Sequence, residues 1–315
     1  TYPPRPNPED TSEANKNRYK SHLERAVFYH VTRRTLDGLV GQVFMREPVV
    51  EMKDEKLKVL LPDADGAGVS FNEQAKKALA DTMSFGRLGL LTDYPNVTAP
   101  ATMAEINAGK IRPTFLLYQP EQIINWRVMV DGARRLFSLV VLQEQYEVED
   151  DGFEPKVGVQ WRVLRLVDGI YTVDIWREAP AAPAQVGGVT GQGSAPPANG
   201  VTFVQHQSFV PKDADGKPFN EIPFTIIGSI NNDADVDPAP LLDLVVLNIA
   251  HYRNSADYEE SCFLVGQPTL WAAGLTEHWV NNVMKGAVQL GSRAALSLPE
   301  GGTAGLLQVN PNSMP

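Results

Sequence analysis

Apolar residues recur at helical spacing over residues 11–44, where Tyr19, Leu23, Ala26, Val27 and His30 share a stripe that continues less cleanly through Leu36, Leu39, Val40 and Val43. A helix of that length would reach about 50 Å at 1.5 Å per residue. The stretch is therefore one long helix or two, with Gly38 and Gly41 as the expected break. Four prolines between Tyr2 and Pro8 keep the preceding segment out of any helix. Residues 46–65, rich in Pro, Asp and Lys, predict a loop with little order of its own. Ser70-Phe-Asn-Glu73 predicts a capping box, with the serine hydroxyl on the Glu73 N–H and the glutamate reaching back. Ala75, Ala78, Leu79, Thr82 and Met83 then repeat at helical spacing, and Gly86 supplies a left-handed stop. Residues 88–94 follow as a buried strand ended by Pro95.

Beyond Arg112 the pattern changes to alternation, with strands predicted over 114–118, 123–130, 136–146, 157–167 and 170–176. Asp131-Gly132 and Asp168-Gly169 suit type I′ turns, whose two central residues both take positive φ, so the strands form an antiparallel meander. Residues 179–200, almost wholly Ala, Pro, Gly, Gln and Ser, predict a flexible insertion within the sheet. Strand character resumes at 201–210 and 224–230. A polar loop, 231–237, then leads through Pro238 and Pro240 into a second strong helix over 241–263. Leu241, Val245, Ile249, Tyr252 and Ala256 form its stripe, but its first half is apolar nearly all round, which predicts packing on several sides. Leu241, Val245, Ile249 and Tyr252 are accordingly candidate subunit-interface residues. After Gly266 the pattern breaks into short strands and glycine-rich turns. There Trp271, Glu277, His278 and Trp279 are candidate docking residues, exposed aromatics beside charge being favoured anchors. The tryptophans could equally fill a small core. The fold class is α+β.

Composition narrows the chemistry. At 315 residues and 34.6 kDa the chain exceeds what one core usually holds. A net charge of −10 and a pI near 5.1 argue against gripping nucleic acid through a basic surface. A lone cysteine, Cys262, excludes an intrachain disulfide and any cysteine-rich zinc site. No apolar run approaches the length of a membrane span. The start at Thr1 without a leader sequence leaves secretion unsupported, and the abrupt stop at Met314-Pro315 predicts a piece of a longer product. Asp233-x-Asp235-x-Asp237 imitates a calcium loop, but Pro238 stands where glycine is required and Leu244 where glutamate is, so no metal is expected. The shorter Asp63/Asp65 and Asp213/Asp215 patches suit solvated turns. His22, His30, His206, His251 and His278 stand in no ligand or triad spacing, and the glycines of 187–193 precede no Lys and no helix. No cofactor is expected, and no enzymatic activity.

Several spaced segments together resemble a family. They are Leu23-Glu-Arg-Ala-Val-Phe-Tyr29 with Thr35-Leu-Asp-Gly-Leu-Val-Gly41, Gly86-Arg-Leu-Gly-Leu-Leu-Thr-Asp-Tyr-Pro95, and Tyr118-x-Pro120-Glu-x-Ile-Ile-Asn-Trp-Arg127. Leu241-Leu-Asp-Leu-x-x-Leu-Asn248 and His251-Tyr-Arg-Asn-Ser-Ala-Asp257, running on to Gly266-Gln-Pro-Thr-Leu270, are the most specific. In this order they resemble the portal proteins of tailed bacteriophages, the head-to-tail connectors best known from short-tailed phages and prophages. The resemblance runs from about residue 4 to 274. It implies a ring, usually of twelve subunits, at one capsid vertex of the virion, assembled in the bacterial host cytoplasm. Double-stranded DNA passes through such a ring without sequence-specific binding. The implied partners are the capsid protein, the terminase large subunit and the tail adaptor, with no membrane. The implied domains are a wing of helices and antiparallel sheet (1–237), a stem helix (238–263) and a small β-rich clip (264–315), and the family's return stem and crown are not expected within these residues. Twelve copies would carry a charge of about −120, a field that lets DNA slide rather than stick. The alternative is another head–tail structural or binding module without a channel.

Overall fold

The computed structural model describes residues 3–5, 7–94, 111–150, 152–179, 202–213, 216–266, 269–284 and 298–307. It is a mixed structure of helices and antiparallel sheets, as its pattern predicts. The chain divides into two units, residues 32–243 and residues 1–31 together with 244–315.

The unit of residues 32–243 is built on a sandwich. Strands β1 (Arg87–Asp93), β2 (Thr114–Tyr118) and β8 (Phe224–Gly228) form one sheet in the order β2-β1-β8. The other contains β3 (Ile123–Asp131), β4 (Arg134–Asp150), β5 (Pro155–Val167), β6 (Ile170–Glu178) and β7 (Phe203–Phe209) in sequence order, every pairing antiparallel. Leu91, Tyr118, Phe224 and Ile226 from the first sheet meet Ile123, Val140, Leu142, Leu164, Tyr171, Val173 and Ile175 from the second in one core. Gly89 permits this approach, since a Cβ there would lie 2.9 Å from Ile123 Cδ1 of the second sheet.

Both predicted turns occur, with different geometry. Asp168 (φ 51°) and Gly169 (φ 76°) are both left-handed, as a type I′ turn requires. At the other, Asp131 still pairs with Arg134, so the turn is centred on Gly132-Ala133 and only Gly132 is left-handed. The turn has moved one residue onward from its predicted place. On β1 lies helix α3 (Phe71–Phe85), closed by Gly86 at φ 84°. Its N-cap is half of the expected box: Ser70 Oγ accepts the Glu73 N–H at 3.2 Å, while the Glu73 carboxylate takes Lys76 Nζ at 2.8 Å. The 46–65 stretch is more ordered than its composition suggests, with a 3₁₀ turn at Glu55–Leu60 and Leu60 and Ala64 buried.

The predicted N-terminal helix is two helices, α1 (Glu13–Arg25) and α2 (Val31–Val43). The break falls at residues 26–30, where Ala26 turns extended, and not at Gly38 or Gly41, which lie inside α2. Glycine costs a helix only about 1 kcal/mol, and that did not decide the boundary. In the unit that contains α1, helix α4 (Leu242–Gly266) runs unbroken as predicted. It is followed by β9 (Thr269–Ala273) and β10 (Thr303–Leu307), paired antiparallel, and by the one-turn helix α5 (Glu277–Trp279). Of the insertion expected at 179–200, Ala179 alone is described, and most of the glycine-rich stretch between α5 and β10 lies outside the described residues.

Candidate functional site

The feature that a self-contained fold leaves unexplained is α4. Its 25 residues extend about 37 Å. An amphipathic helix should turn its apolar stripe inward, yet α4 begins the other way round. Leu242, Val246 and Leu247 are 54, 60 and 66% exposed, while Asn248 is buried. Of the predicted interface residues, Leu241 precedes the helix and is half-buried, Val245 is exposed, and Ile249 and Tyr252 are half-buried. The stripe that is actually shielded runs through Leu244, Asn248, Tyr252 and Ala256 to Glu260, one position from the predicted one at its start.

The second half of α4 has a partner, α1 and the turn after it. Glu260 pairs with Arg25, and His22 Nδ1 stands 3.8 Å from the same carboxylate. The Arg25 guanidinium lies over the Phe263 ring, 4.1 Å from its centre. Phe28 meets Tyr252 edge-on at 5.2 Å and Tyr29 meets His251 at 5.5 Å. These rings explain the break at 26–30: an unbroken helix could not have laid Phe28 and Tyr29 against α4. Asn15, buried in α1, is held by the backbone, its Nδ2 donating to the carbonyls of Asn7 and Asp10.

The structure separates the four predicted docking residues. Trp271 on β9 is 47% exposed, and Glu277 and His278 are exposed on α5. Trp279 is buried, at 8%, and so fills the interior instead of presenting an anchor. Of the two positions its sequence left open, exposed anchor or small core, Trp279 takes the second and Trp271 the first.

Two sites in the other unit escaped the sequence. The first is an apolar groove of about 600 Å³ between α3 and the three-stranded sheet, walled by Phe71, Ala75, Leu79, Met83, Leu90 and Leu117. The alternation of α3 predicts a packed face, but not that the sheet leaves room beside it. The second is a charge cluster inside the sandwich. Arg162 on β5 reaches Asp93 on β1 and Glu144 on β4, each at 2.8 Å, and Tyr118 donates to Glu144 at 2.7 Å. Burial and the Glu144 charge push the Tyr118 phenol up, so it stays a donor. Burial disfavours the Arg162 cation, but Glu144 and Asp93 outweigh it and push its pKa up. Arg162 thus ties β1, β4 and β5 together by charge, although its buried Nε makes no hydrogen bond.

The acidic patches serve the backbone. Asp237 Oδ2 accepts the N–H groups of Ile230 and Asn231, which hold its carboxyl below the usual range. Asp63 accepts from Gly66 and Gly68 and pairs with Arg112. Among the described residues no three His, Cys, Asp or Glu side chains gather in a metal-ligating arrangement, and no helix is long and apolar enough to cross a membrane.

Residues 240–315, which include α4 and the β9–β10 pair, match a family model described as a domain of unknown function, DUF4055. No curated protein matches the chain.

Proposed function

We propose that the protein is a subunit of a closed ring, the portal of a tailed bacteriophage, set at one capsid vertex as the channel for DNA packaging and ejection. The observation that carries this reading is the inverted start of α4: Leu242, Val245, Val246 and Leu247 face outward while Asn248 is buried. Contiguous apolar surface of this kind marks an interface. A helix with a shielded second half and an apolar first half suits one that stands among copies of itself. The segment resemblance supplies the kind of assembly, and α4 with the strands after it would be stem and clip. The ring would meet the capsid protein at its rim, and the terminase large subunit and then the tail adaptor at its clip, around Trp271, Glu277 and His278. On this reading the work is assembly and the shaping of an acidic channel rather than covalent chemistry.

The test is the mass of the purified chain in solution, with negative-stain images searched for a central hole. Ten to fourteen copies around a hole is the expected result. One or two copies would overturn the ring and leave a head–tail binding module in its place.

A further inference from the structure

The inner face of the five-stranded sheet changes character over three rows of its ladder. The row Val140, Leu164 and Val173 is apolar and belongs to the core. The next, Leu142, Arg162, Ile175 and Gln207, is mixed, and the one after it, Glu144, Gln160 and Arg177, is wholly polar. Strand alternation keeps all three rows on the core side. In the facing sheet β1 ends at Asp93. There the sandwich opens into a recess of about 220 Å³, whose polar lining is Asp93, Tyr94, Gln160, Arg162, Arg177 and Gln207.

The two arginines of this recess differ. Arg162 is charge-paired with Asp93 and Glu144. Among the described residues the Arg177 guanidinium pairs with no carboxylate, and it is hydrogen-bonded through Nε alone, which donates to Gln160 Oε1 at 3.1 Å. Gln160 is itself fixed, its Nε2 donating to Glu144 Oε2 at 2.9 Å. The guanidinium lies over the Tyr146 ring, 3.8 Å from its centre. Gly158 makes room for that ring, since a Cβ there would stand 2.9 Å from it. Pinned by Gln160 and Tyr146, Arg177 keeps its two terminal nitrogens for a ligand, the fork that takes a carboxylate side-on. A side chain already held in place loses little entropy on binding.

Charge and size narrow the ligand. Both Glu144 oxygens are engaged, Oε1 by the Tyr118 hydroxyl and Oε2 by Gln160. Among the described residues Asp93 is hydrogen-bonded through Oδ2 alone, to Arg162. The recess therefore offers a cationic fork at Arg177 and an acceptor oxygen at Asp93. A dianion such as phosphate would be repelled by Asp93, whereas a singly charged acid with a donor group of its own suits both walls. The volume is below the roughly 300–1,000 Å³ of sites for drug-sized ligands, so the acid is a small one.

We propose that this recess binds a small organic monocarboxylate that also carries a hydrogen-bond donor, with the carboxylate on Arg177 and the donor on Asp93. The site belongs to one sandwich and holds whether or not the chain closes a ring.

Isothermal titration of the full chain with sodium glycolate, glycine, sodium acetate and inorganic phosphate, all at one ionic strength, tests this. The better of glycolate and glycine should saturate one site per chain and bind about fivefold more tightly than acetate, the worth of one hydrogen bond. Arg177→Gln should weaken that binding about tenfold or more. Arg177→Lys should fall in between, because an ammonium lacks the fork. Arg135→Gln, exposed at the far end of β4, should leave it as it is. Circular dichroism checks that Arg177→Gln is folded. If it is not, Gln207→Ala, exposed on the edge strand β7, carries the same test with an expected loss of about threefold. No saturable binding of glycolate or glycine, or binding that these recess variants leave unchanged, would overturn the proposal. So would acetate or phosphate binding as tightly. An affinity that falls as protein concentration rises would overturn it too, since a carboxylate of a second copy would then be the occupant.

Discussion

The sandwich and the α1–α4 pair bury opposite things. Inside the sandwich, Leu91, Leu142 and Leu164 are fully shielded, and the charges of Asp93 and Glu144 are gathered on Arg162. In the helical pair, Asn15, His22 and Asn248 are inside, while Leu242, Val246 and Leu247 are outside. Burial of apolar area is what stabilises a fold, so the sandwich can complete itself and the helical pair cannot. On the ring reading proposed above, the difference separates a scaffold from an assembly element.

That contrast is breakable. The largest effect is expected from Leu164→Ala, which empties a site with no exposure and should cost about 2–5 kcal/mol; chemical denaturation monitored by sheet circular dichroism would measure it. Val245→Asp should do the reverse, leaving that sheet signal unchanged while the assembled mass falls to that of one or two copies, because a carboxylate at a packed interface costs several kcal/mol. If Val245→Asp keeps its assembled mass, the start of α4 is not an interface and the comparison fails.

Smaller effects sharpen it. Glu260→Gln removes the charge that Arg25 and His22 share. A loss of about 1–2 kcal/mol is expected for this partly exposed pair, confined to α1 and read as faster hydrogen exchange across residues 13–25 with the sandwich amides unaffected. Substituting Glu277 and His278 together by Ala should leave both stability and ring mass as they are and weaken capture of terminase or adaptor in pull-downs. Equal capture of both partners would move the docking surface elsewhere. Smallest is Asp237→Asn. The Ile230 and Asn231 N–H groups depress the folded-state pKa of Asp237, so its contribution is full above the unfolded value of about 3.9 and is lost as pH falls through the folded one. The variant should therefore melt a few degrees lower at pH 7, and thermal scans should show that gap closing below about pH 4.

Local chemistry was legible wherever it acts alone. The Asp168-Gly169 turn, the Ser70 cap, the Gly86 stop and the unbroken α4 could all be read from residue type and spacing, because each depends on a few neighbouring backbone angles. Asp131-Gly132 already shows the limit: the pairing of Asp131 with Arg134, set by the register of two whole strands, moved the turn by one residue. Trp279 shows it again, since its burial depends on what stands beside a single helical turn.

The sequence by itself thus determined the class of fold, the order of strands in the meander and the places where backbone handedness must change, for these follow from periodicity and from residues with restricted φ. Tertiary structure alone decided which elements join. It set β8 against β1 across more than a hundred intervening residues, placed the break after α1 where Phe28 and Tyr29 meet α4, gathered Asp93, Glu144 and Arg162, and turned the apolar start of α4 outward. Hydrophobic burial is proportional to area and has no direction, so a pattern of apolar positions says that a face will be covered without saying by what.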